Sequence, residues 1–96
     1  MRFINVGFSN LVSAERIVTI ASPDSAPLKR LIADSREEGR CIDCTCGKKT
    51  KSVIVTDSDH VILSALSTGT LAARLEGRPD TSAEEGEEKD ENDKND

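Results

Sequence analysis

The sequence predicts an α+β fold, a small antiparallel β-sheet domain with one main amphipathic helix and a short C-terminal helix. Apolar runs of strand length recur along the chain, whereas only two segments carry apolar residues at helical spacing. The composition changes abruptly after Pro79, so we expect one domain over residues 1–79 and a tail over residues 80–96. The chain has 96 residues and only two aromatic side chains. The core of a monomer would therefore be thin, and we expect oligomerisation on grounds of stability.

The strands are predicted from five apolar runs: RFINV at 2–6, RIVTIA at 16–21, CIDCTC at 41–46, SVIVT at 52–56 and VILSAL at 61–66. We expect the second run to form a mostly buried strand from Ile17 onward, and the last run to form a central strand. The third and fourth runs flank GKKTK, residues 47–51, which we call the basic segment. Their order in the sequence predicts a hairpin with the basic segment at its tip.

The two helices are predicted from their start and stop signals. SPDSAP at 22–27 offers Ser and Asp as N-cap acceptors, and Pro27 is tolerated within a first helical turn. Apolar residues follow at the spacing of one helix face: Leu28, Leu31 and Ile32. Gly39 is a suitable left-handed stop, which gives a helix of about three turns. TGTLAARLEG at 68–77 predicts a short second helix that Gly77 ends.

The formal charge of −5 hides an uneven distribution. Residues 1–79 carry 11 Lys and Arg against 9 Asp and Glu, a net of +2, and residues 80–96 carry 2 Lys against 9 acidic residues, a net of −7. The tail has no apolar residue larger than Ala83, so burial cannot repay the entropy of ordering it and we expect it to be disordered. An autoinhibitory role, in which its carboxylates compete with phosphate for the basic segment, stays open.

The start of the chain and its cysteines favour the cytoplasm. MRFINV leads directly into strand-like sequence, so we expect no signal peptide, and no apolar run approaches the roughly 20 residues of a membrane span. Three cysteines are an odd number and cannot all pair within one chain. We therefore expect a cytoplasmic protein with reduced thiols and no contact with a membrane.

The cysteine cluster leaves three interpretations open. Cys41, Cys44 and Cys46 could bind zinc together with His60, act as a redox switch, or pack as small apolar residues. Cys44 and Cys46 would share one face of a strand while Cys41 faces the other, which points the ligands apart. We favour packing, and we predict no metal and no cofactor.

An enzymatic function is not supported by the motifs. His60 lies in TDSDH at 56–60 beside two aspartates, but the sequence has no nucleophile elbow and no glycine-rich oxyanion turn. The segment around Gly47 lacks the spacing of a phosphate-binding loop. We predict no catalytic residue and no small-molecule substrate, and we expect His60 to be a turn residue.

The basic segment indicates contact with phosphate. It places three lysines, Lys48, Lys49 and Lys51, within four residues after a glycine. Lys51 follows Lys49 by two residues, so in a strand the two side chains would share a face. The alternative is a solvated tip made cationic for solubility. The net charge of the domain is too small to decide, and the clustering of the cations favours nucleic acid.

Four segments of the chain carry a family resemblance: NVGFSNLVSAER at 5–16, SPDSAPLKR at 22–30, IDCTCGKKT at 42–50 and DSDHVILSA at 57–65. They resemble the RemA family, bacterial regulators of extracellular-matrix genes, over about three quarters of the chain, from residue 3 to residue 75. The resemblance implies a small DNA-binding protein related in fold to LytTR-type domains. Its subunits would close into a homo-oligomeric ring, an octamer, around which double-stranded promoter DNA can wrap. Such a protein would activate operons for biofilm matrix production.

The resemblance also implies which residues contact DNA. The arginine that ends the first segment is Arg16, and the basic pair after the turn glycine is Lys48 and Lys49, with Lys51 as a weaker addition. Pro27 matches the proline at the helix start and is expected to serve structure or assembly. The family pair is commonly Arg-Arg, so Lys-Lys here retains phosphate contact but loses the planar fork that reads guanine edges. Two alternatives stay open: an adaptor ring that binds proteins instead of DNA, and a cysteine-based metal or redox sensor.

Overall fold

Residues 1–78 are described by a computed structural model, and residues 79–96 lie outside the described part. The elements in chain order are β1 (Phe3–Asn5), β2 (Leu11–Ser13), a 3₁₀ turn (Ala14–Arg16), β3 (Ile17–Ala21), α1 (Ala26–Glu37), β4 (Cys41–Asp43), β5 (Ser52–Thr56), β6 (Val61–Ser64) and α2 (Thr68–Glu76). The predicted α+β class and both predicted helices are confirmed. The predicted disordered tail falls outside the described residues. Within residues 1–78, no helix is long and apolar enough to cross a membrane.

The main sheet has four strands in the order β3-β5-β6-β4. β5 pairs with β3 and with β6 in antiparallel fashion, whereas β4 pairs with β6 in parallel. The expectation of a purely antiparallel sheet is therefore wrong. The reason is α1, which carries the chain from the end of β3 back along the sheet, so that β4 runs in the same direction as β3 and takes the opposite edge.

The predicted hairpin between the runs at 41–46 and 52–56 is also wrong. β6 lies between β4 and β5, and β4 ends at Asp43, so residues 44–51 cross the end of β6 to reach β5. The physical reason is burial. Every residue of β6 is buried, as expected of a central strand, and four of the five residues of β5 are buried. These two strands therefore pair with each other through the turn at 57–60.

β3 is an edge strand rather than the mostly buried strand that its apolar run predicts. No residue of β3 is buried, and Val18 is 65% exposed. The pairing with β5 shifts its register between Ile17 and Thr19, which takes Val18 out of the regular ladder. An apolar run alone does not distinguish an edge strand from a central one.

The main sheet carries a separate layer on each face. On one face, α1 covers a cluster made of Val53, Val61, Leu63, Leu28, Leu31, Ile32 and Cys41. On the other face, the β1–β2 hairpin and α2 cover a larger cluster made of Ile4, Val6, Cys44, Ile54, Ile62, Leu66 and Leu71, bordered by Val12, Ala14, Ile17, Ile20 and Leu75. Successive residues of β5 alternate between the two layers, as the period of a strand requires.

The two ends of the main sheet present different residues. Because Ala21 pairs with Val53, β3 ends where β5 begins. α1 therefore begins at the same end as the loop at 44–51, and α2, which follows β6, begins there too. We call this the lysine end. The opposite end, which holds Arg16 and the turn at 57–60, is the arginine end.

Both helices are capped, α1 at both ends and α2 at its C-terminal end as their sequences predict. In α1 the Ser25 hydroxyl accepts a hydrogen bond of 3.4 Å from a first-turn N–H, and Pro27 lies within that turn. Gly39 follows α1 with a φ of +75°, the left-handed conformation that favours glycine. In α2 the Ser67 hydroxyl accepts a hydrogen bond of 3.1 Å in the same way, and Gly77 ends the helix. These caps set the residues at which the two helices begin, and both of these residues lie at the lysine end.

Ser64 connects the β1–β2 hairpin to the main sheet. Its hydroxyl is buried and donates a hydrogen bond of 2.7 Å to the Val6 carbonyl. Ser64→Ala removes this donor from a dry site, so we expect the free energy of unfolding in urea to fall by about 1–3 kcal/mol. Ser22→Ala removes an exposed hydroxyl before α1, and we expect it to cost less than about 0.5 kcal/mol. Equal losses for the two variants would contradict this role of Ser64.

Candidate nucleic-acid interface

The loop at 44–51 begins with a tight turn at the lysine end. The Lys48 N–H donates to the Thr45 carbonyl at 3.0 Å, and the two residues between them are left-handed, with φ of +53° at Cys46 and +82° at Gly47. Two left-handed central residues are typical of a type I′ turn, which glycine adopts freely and a residue with a Cβ adopts at a cost of about 1–2 kcal/mol. The turn fixes the direction in which the lysines leave the sheet.

Asp43, the last residue of β4, anchors this turn. Its carboxylate accepts hydrogen bonds from the Thr45 hydroxyl at 2.6 Å and from the Thr45 N–H at 2.9 Å. These bonds favour the ionised form and hold the pKa of the Asp43 carboxyl below its usual value of 3.8, with a smaller contribution from the positive charge of Arg36. Thr45 itself is buried, so the start of the loop is fixed to the body of the fold.

The end of the loop is bound to the segment that leads into α2. The Lys51 N–H donates to the Ser64 carbonyl at 2.8 Å. The buried Ser52 hydroxyl donates to the Leu66 carbonyl. Leu66 directly precedes Ser67, the N-cap of α2, so the basic segment and the start of α2 lie side by side.

The three lysines of the basic segment carry free charges. Lys49 and Lys51 are exposed, and Lys48 is half-buried. Among residues 1–78, no carboxylate forms an ion pair with any of them, and none of their ammonium groups donates a hydrogen bond. All three precede β5, which begins at Ser52, so the prediction that Lys49 and Lys51 share a strand face is wrong.

The helices add to the positive potential of the lysine end. Both α1 and α2 begin there, and each helix N-terminus is equivalent to roughly half a positive charge. Neither helix has an acidic residue in its first turn that would offset this charge. Free lysines beside two helix starts form a surface suited to phosphate groups.

Arg16 lies at the arginine end, at the mouth of β3 as predicted but away from the basic segment. Its guanidinium forms an ion pair of 3.2 Å with Asp57, and the two side chains are 63% and 51% exposed. Lys51 precedes Asp57 by six residues. This spacing corresponds to about 20 Å of extended strand. Within one protomer the structure therefore does not bring Arg16 together with the lysines.

The three cysteines occupy different environments. Cys41 is half-buried against α1, Cys44 is buried in the opposite layer, and Cys46 is exposed in the turn, so Cys44 and Cys46 do not share the strand face that was predicted. Burial raises the pKa of the Cys44 thiol, and the charges of Asp43 and Cys46 raise it further, so this thiol stays protonated at neutral pH. Within residues 1–78, no group of three potential metal ligands occurs.

His60 is a turn residue, as predicted. Its Nδ1 lies 2.8 Å from the Ser58 hydroxyl, and its backbone N–H donates to the Thr56 hydroxyl at 3.2 Å. The Ser58 and Thr56 hydroxyls are 2.9 Å apart. The polar groups of this turn thus satisfy one another and close the connection between β5 and β6.

Two acidic residues at these surfaces were not predicted from the sequence. Asp43 anchors the turn of the loop, and Asp57 pairs with Arg16. An Asp two residues before a Thr is the pattern of a side chain that bonds the following backbone, and this signal could have indicated Asp43. The pair of Arg16 and Asp57 joins residues 41 positions apart, so only the strand pairing reveals it.

The hydrogen bonds of Asp43 predict a pH dependence. Because folding lowers its pKa, the carboxylate stabilises the fold above the unfolded pKa of about 3.9, and this contribution is lost as the pH falls through the folded value. We expect Asp43→Asn to lower the free energy of unfolding by about 1 kcal/mol at pH 7. The difference from wild type should shrink once the pH falls through the folded pKa, as measured by urea titration at pH 7 and at a pH below that value. A loss of equal size at both would contradict the anchoring role of the carboxylate.

Known proteins match the chain over the elements that form this surface. The RemA-like family model, described as extracellular matrix regulatory protein A-like, matches residues 3–75. A protein of Geobacillus thermodenitrificans that is named as a regulatory protein is 58% identical over 84 residues, which cover 88% of this chain and 97% of the relative. A similarly named protein of Geobacillus kaustophilus is 57% identical over 84 residues, with coverage of 88% and 97%. One of Symbiobacterium thermophilum is 53% identical over 92 residues, which cover 92% of this chain and 97% of the relative. The chain belongs to the RemA-like family.

Proposed function

We propose that this protein is a cytoplasmic transcriptional regulator that binds double-stranded promoter DNA and activates genes of the extracellular matrix and of biofilm formation. The observation that carries the proposal is the lysine end, where three lysines without partners among residues 1–78 lie beside two helix starts. A phosphate backbone suits this surface, because each lysine that neutralises a phosphate releases a condensed counterion. The family description and the regulatory names of its members support the regulatory part of the proposal.

The number of cations favours a binding form with several copies of the chain. One protomer offers Lys48, Lys49 and Lys51 at one end and Arg16 at the other. Such a protomer makes only three or four phosphate contacts. For each contact, log affinity falls by about 0.9 when the salt concentration rises tenfold. The binding of DNA by a single protomer is therefore weak at cellular ionic strength. A homo-oligomeric ring repeats the contacts and raises the overall affinity without new chemistry.

The open edges of the main sheet offer a contact for such a ring. β3 and β4 form these edges, and each exposes an apolar side chain: Val18 is 65% exposed and Ile42 is 45% exposed. The two strands run in the same direction, so the β3 edge of one copy can lie beside the β4 edge of the next without inverting either copy. A contact between two different surfaces closes into a ring when its rotation permits. In this arrangement every lysine end lies on the same rim.

Arg16 forms a second row of contacts in this proposal. It lies about 20 Å from the basic segment, and the major groove is roughly 12 Å wide. The row of arginines and the row of lysines can therefore contact the two DNA backbones on either side of a groove. Asp57 already neutralises part of the Arg16 charge. Arg16 therefore contributes less to the salt dependence of binding than a free lysine does.

The use of lysine sets the expected kind of specificity. An ammonium group binds phosphate as a point charge and lacks the planar fork with which arginine reads guanine. Sequence preference would then arise mainly from the ease with which the DNA bends along the rim and from its groove width. In this proposal the regulator acts on promoters by changing the shape of the DNA or by excluding another protein from it.

The basic pair predicts the salt dependence of DNA binding. Lys48→Ala/Lys49→Ala removes two free cations from each protomer. The slope of log affinity against log salt should therefore become less steep by about 1.8 for each protomer in contact with the duplex. Fluorescence anisotropy titrations with a long A·T-rich duplex at several salt concentrations measure this slope. Arg16→Ala should reduce it by a smaller amount, because Asp57 already pairs with that side chain.

A charge-preserving variant controls this experiment. Lys48→Arg/Lys49→Arg keeps both cations and should retain the wild-type slope, and sizing chromatography checks that every variant stays assembled. A wild-type protein that fails to bind DNA at low salt would contradict the proposal, and so would equal binding by the alanine variant. Binding of protein partners without DNA would then favour the adaptor ring.

The edge strands predict which substitutions dissociate the ring. Val18→Lys and Ile42→Lys each place a charge in the proposed contact, so we expect either variant to elute with the mass of a monomer or small oligomer in sizing chromatography with light scattering. Leu11→Lys is the matched control, because Leu11 is 63% exposed on the β1–β2 hairpin and not on an edge of the main sheet. Dissociation by the control alone would contradict an edge contact and indicate one through the hairpin.

A further inference from the structure

The loop that carries the basic segment starts from β4, the edge strand against which α1 packs. Cys41 packs in the cluster beneath α1, and Asp43 follows it by two residues, so the side chain of Asp43 lies on the same face. The two hydrogen bonds from Thr45 to Asp43 draw the start of the loop toward this face. The turn that precedes Lys48 therefore follows directly on β4, the strand that lies next to α1.

Arg36 identifies the side of α1 that faces the loop. α1 packs against β4, which ends at Asp43, and the positive charge of Arg36 is close enough to lower the pKa of the Asp43 carboxyl. Lys29 precedes Arg36 by seven residues. Seven residues are close to two full helical turns, so both side chains lie on the same side of α1, and Lys29 lies about 10 Å nearer the helix start. That position is in the first turn of α1, at the lysine end, where the turn that Thr45 begins also lies.

Lys29 has a free charge like the lysines of the loop. It is exposed, and no carboxylate within residues 1–78 forms an ion pair with it. Arg30 is also exposed, but it lies about 100° further around the helix. Because Leu28 and Leu31 turn toward the sheet, Arg30 projects away from both the sheet and the loop.

We propose that Lys29 is a further DNA-contacting residue, which binds the phosphate backbone together with Lys48 and Lys49 and extends the DNA footprint from the loop onto α1. The proposal rests on the DNA-binding function proposed above. An extended polyanion is the ligand that fits, because the exposed cations follow one another across two elements. With Lys29, each protomer supplies four phosphate contacts at its lysine end.

Lys29→Ala tests this proposal, with Arg30→Ala as the matched control. Each substitution removes one exposed cation from neighbouring positions in the same turn of α1, and alanine is compatible with the helix. In anisotropy titrations with the same A·T-rich duplex, we expect Lys29→Ala to make the salt slope less steep by about 0.9 for each protomer in contact. Lys29→Arg and Arg30→Ala should retain the wild-type slope. Circular dichroism and sizing chromatography check that the variants stay folded and assembled.

The experiment separates this proposal from the function on which it rests. If Lys48→Ala/Lys49→Ala weakens binding while Lys29→Ala binds like wild type, the role of Lys29 is overturned and the DNA-binding function stands. Equal losses for Lys29→Ala and Arg30→Ala also overturn it, because the effect would then report the net charge of α1 rather than a position. A wild-type protein that does not bind the duplex overturns both proposals.

Discussion

The parallel pairing of β4 with β6 determines where the charges of this protein lie. β6 is buried along its whole length between β5 and β4. β5 and β4 run in opposite directions, so the chain that leaves β4 must cross the end of β6 to enter β5, and it does so in the eight residues 44–51. The crossing takes these residues out of the strand ladder, which leaves room for a tight turn and three lysines. The same topology brings the starts of both helices to this end, so the lysines and the helix dipoles act on one surface.

Buried hydroxyl groups hold the crossing loop in one arrangement. Thr45 near the start of the loop and Ser52 directly after it are buried, and each donates a hydrogen bond. Among residues 1–78, no buried side-chain nitrogen or oxygen lacks a hydrogen-bond partner. A buried polar group that moved away from its partner would lose that bond in a dry site, so these contacts favour a single loop conformation. The backbone of a loop held in this way loses little further conformational freedom when a ligand binds, so only the lysine side chains have to be ordered.

Local signals in the sequence were sufficient to predict the helices and the lysines but not their spatial relation. The cap at Ser25 and the left-handed glycine at position 39 act within one helical turn, so the bounds of α1 could be predicted closely. The order of the strands depends on the path of α1 over the sheet, and no local pattern encodes that path. The exposure of Val18 depends likewise on the position of β3, beyond which residues 1–78 add no further strand. Arg16 and the lysines lie at opposite ends of β5, and this arrangement depends on how β5 pairs with β3. The sequence therefore indicated both groups of cations but not the distance between them.

The two ends of the protein differ in how their cations are balanced, and this difference orders the steps of the proposed DNA binding. At the arginine end, Arg16 and Arg40 each form an ion pair with a nearby carboxylate. At the lysine end, the basic segment has no such partner within residues 1–78. In the proposed binding, a duplex would therefore be attracted first to the lysine end, where these cations are unpaired. Exposed ion pairs contribute only about 0–1 kcal/mol, so Arg16 can exchange Asp57 for a phosphate at small cost once the lysines hold the duplex.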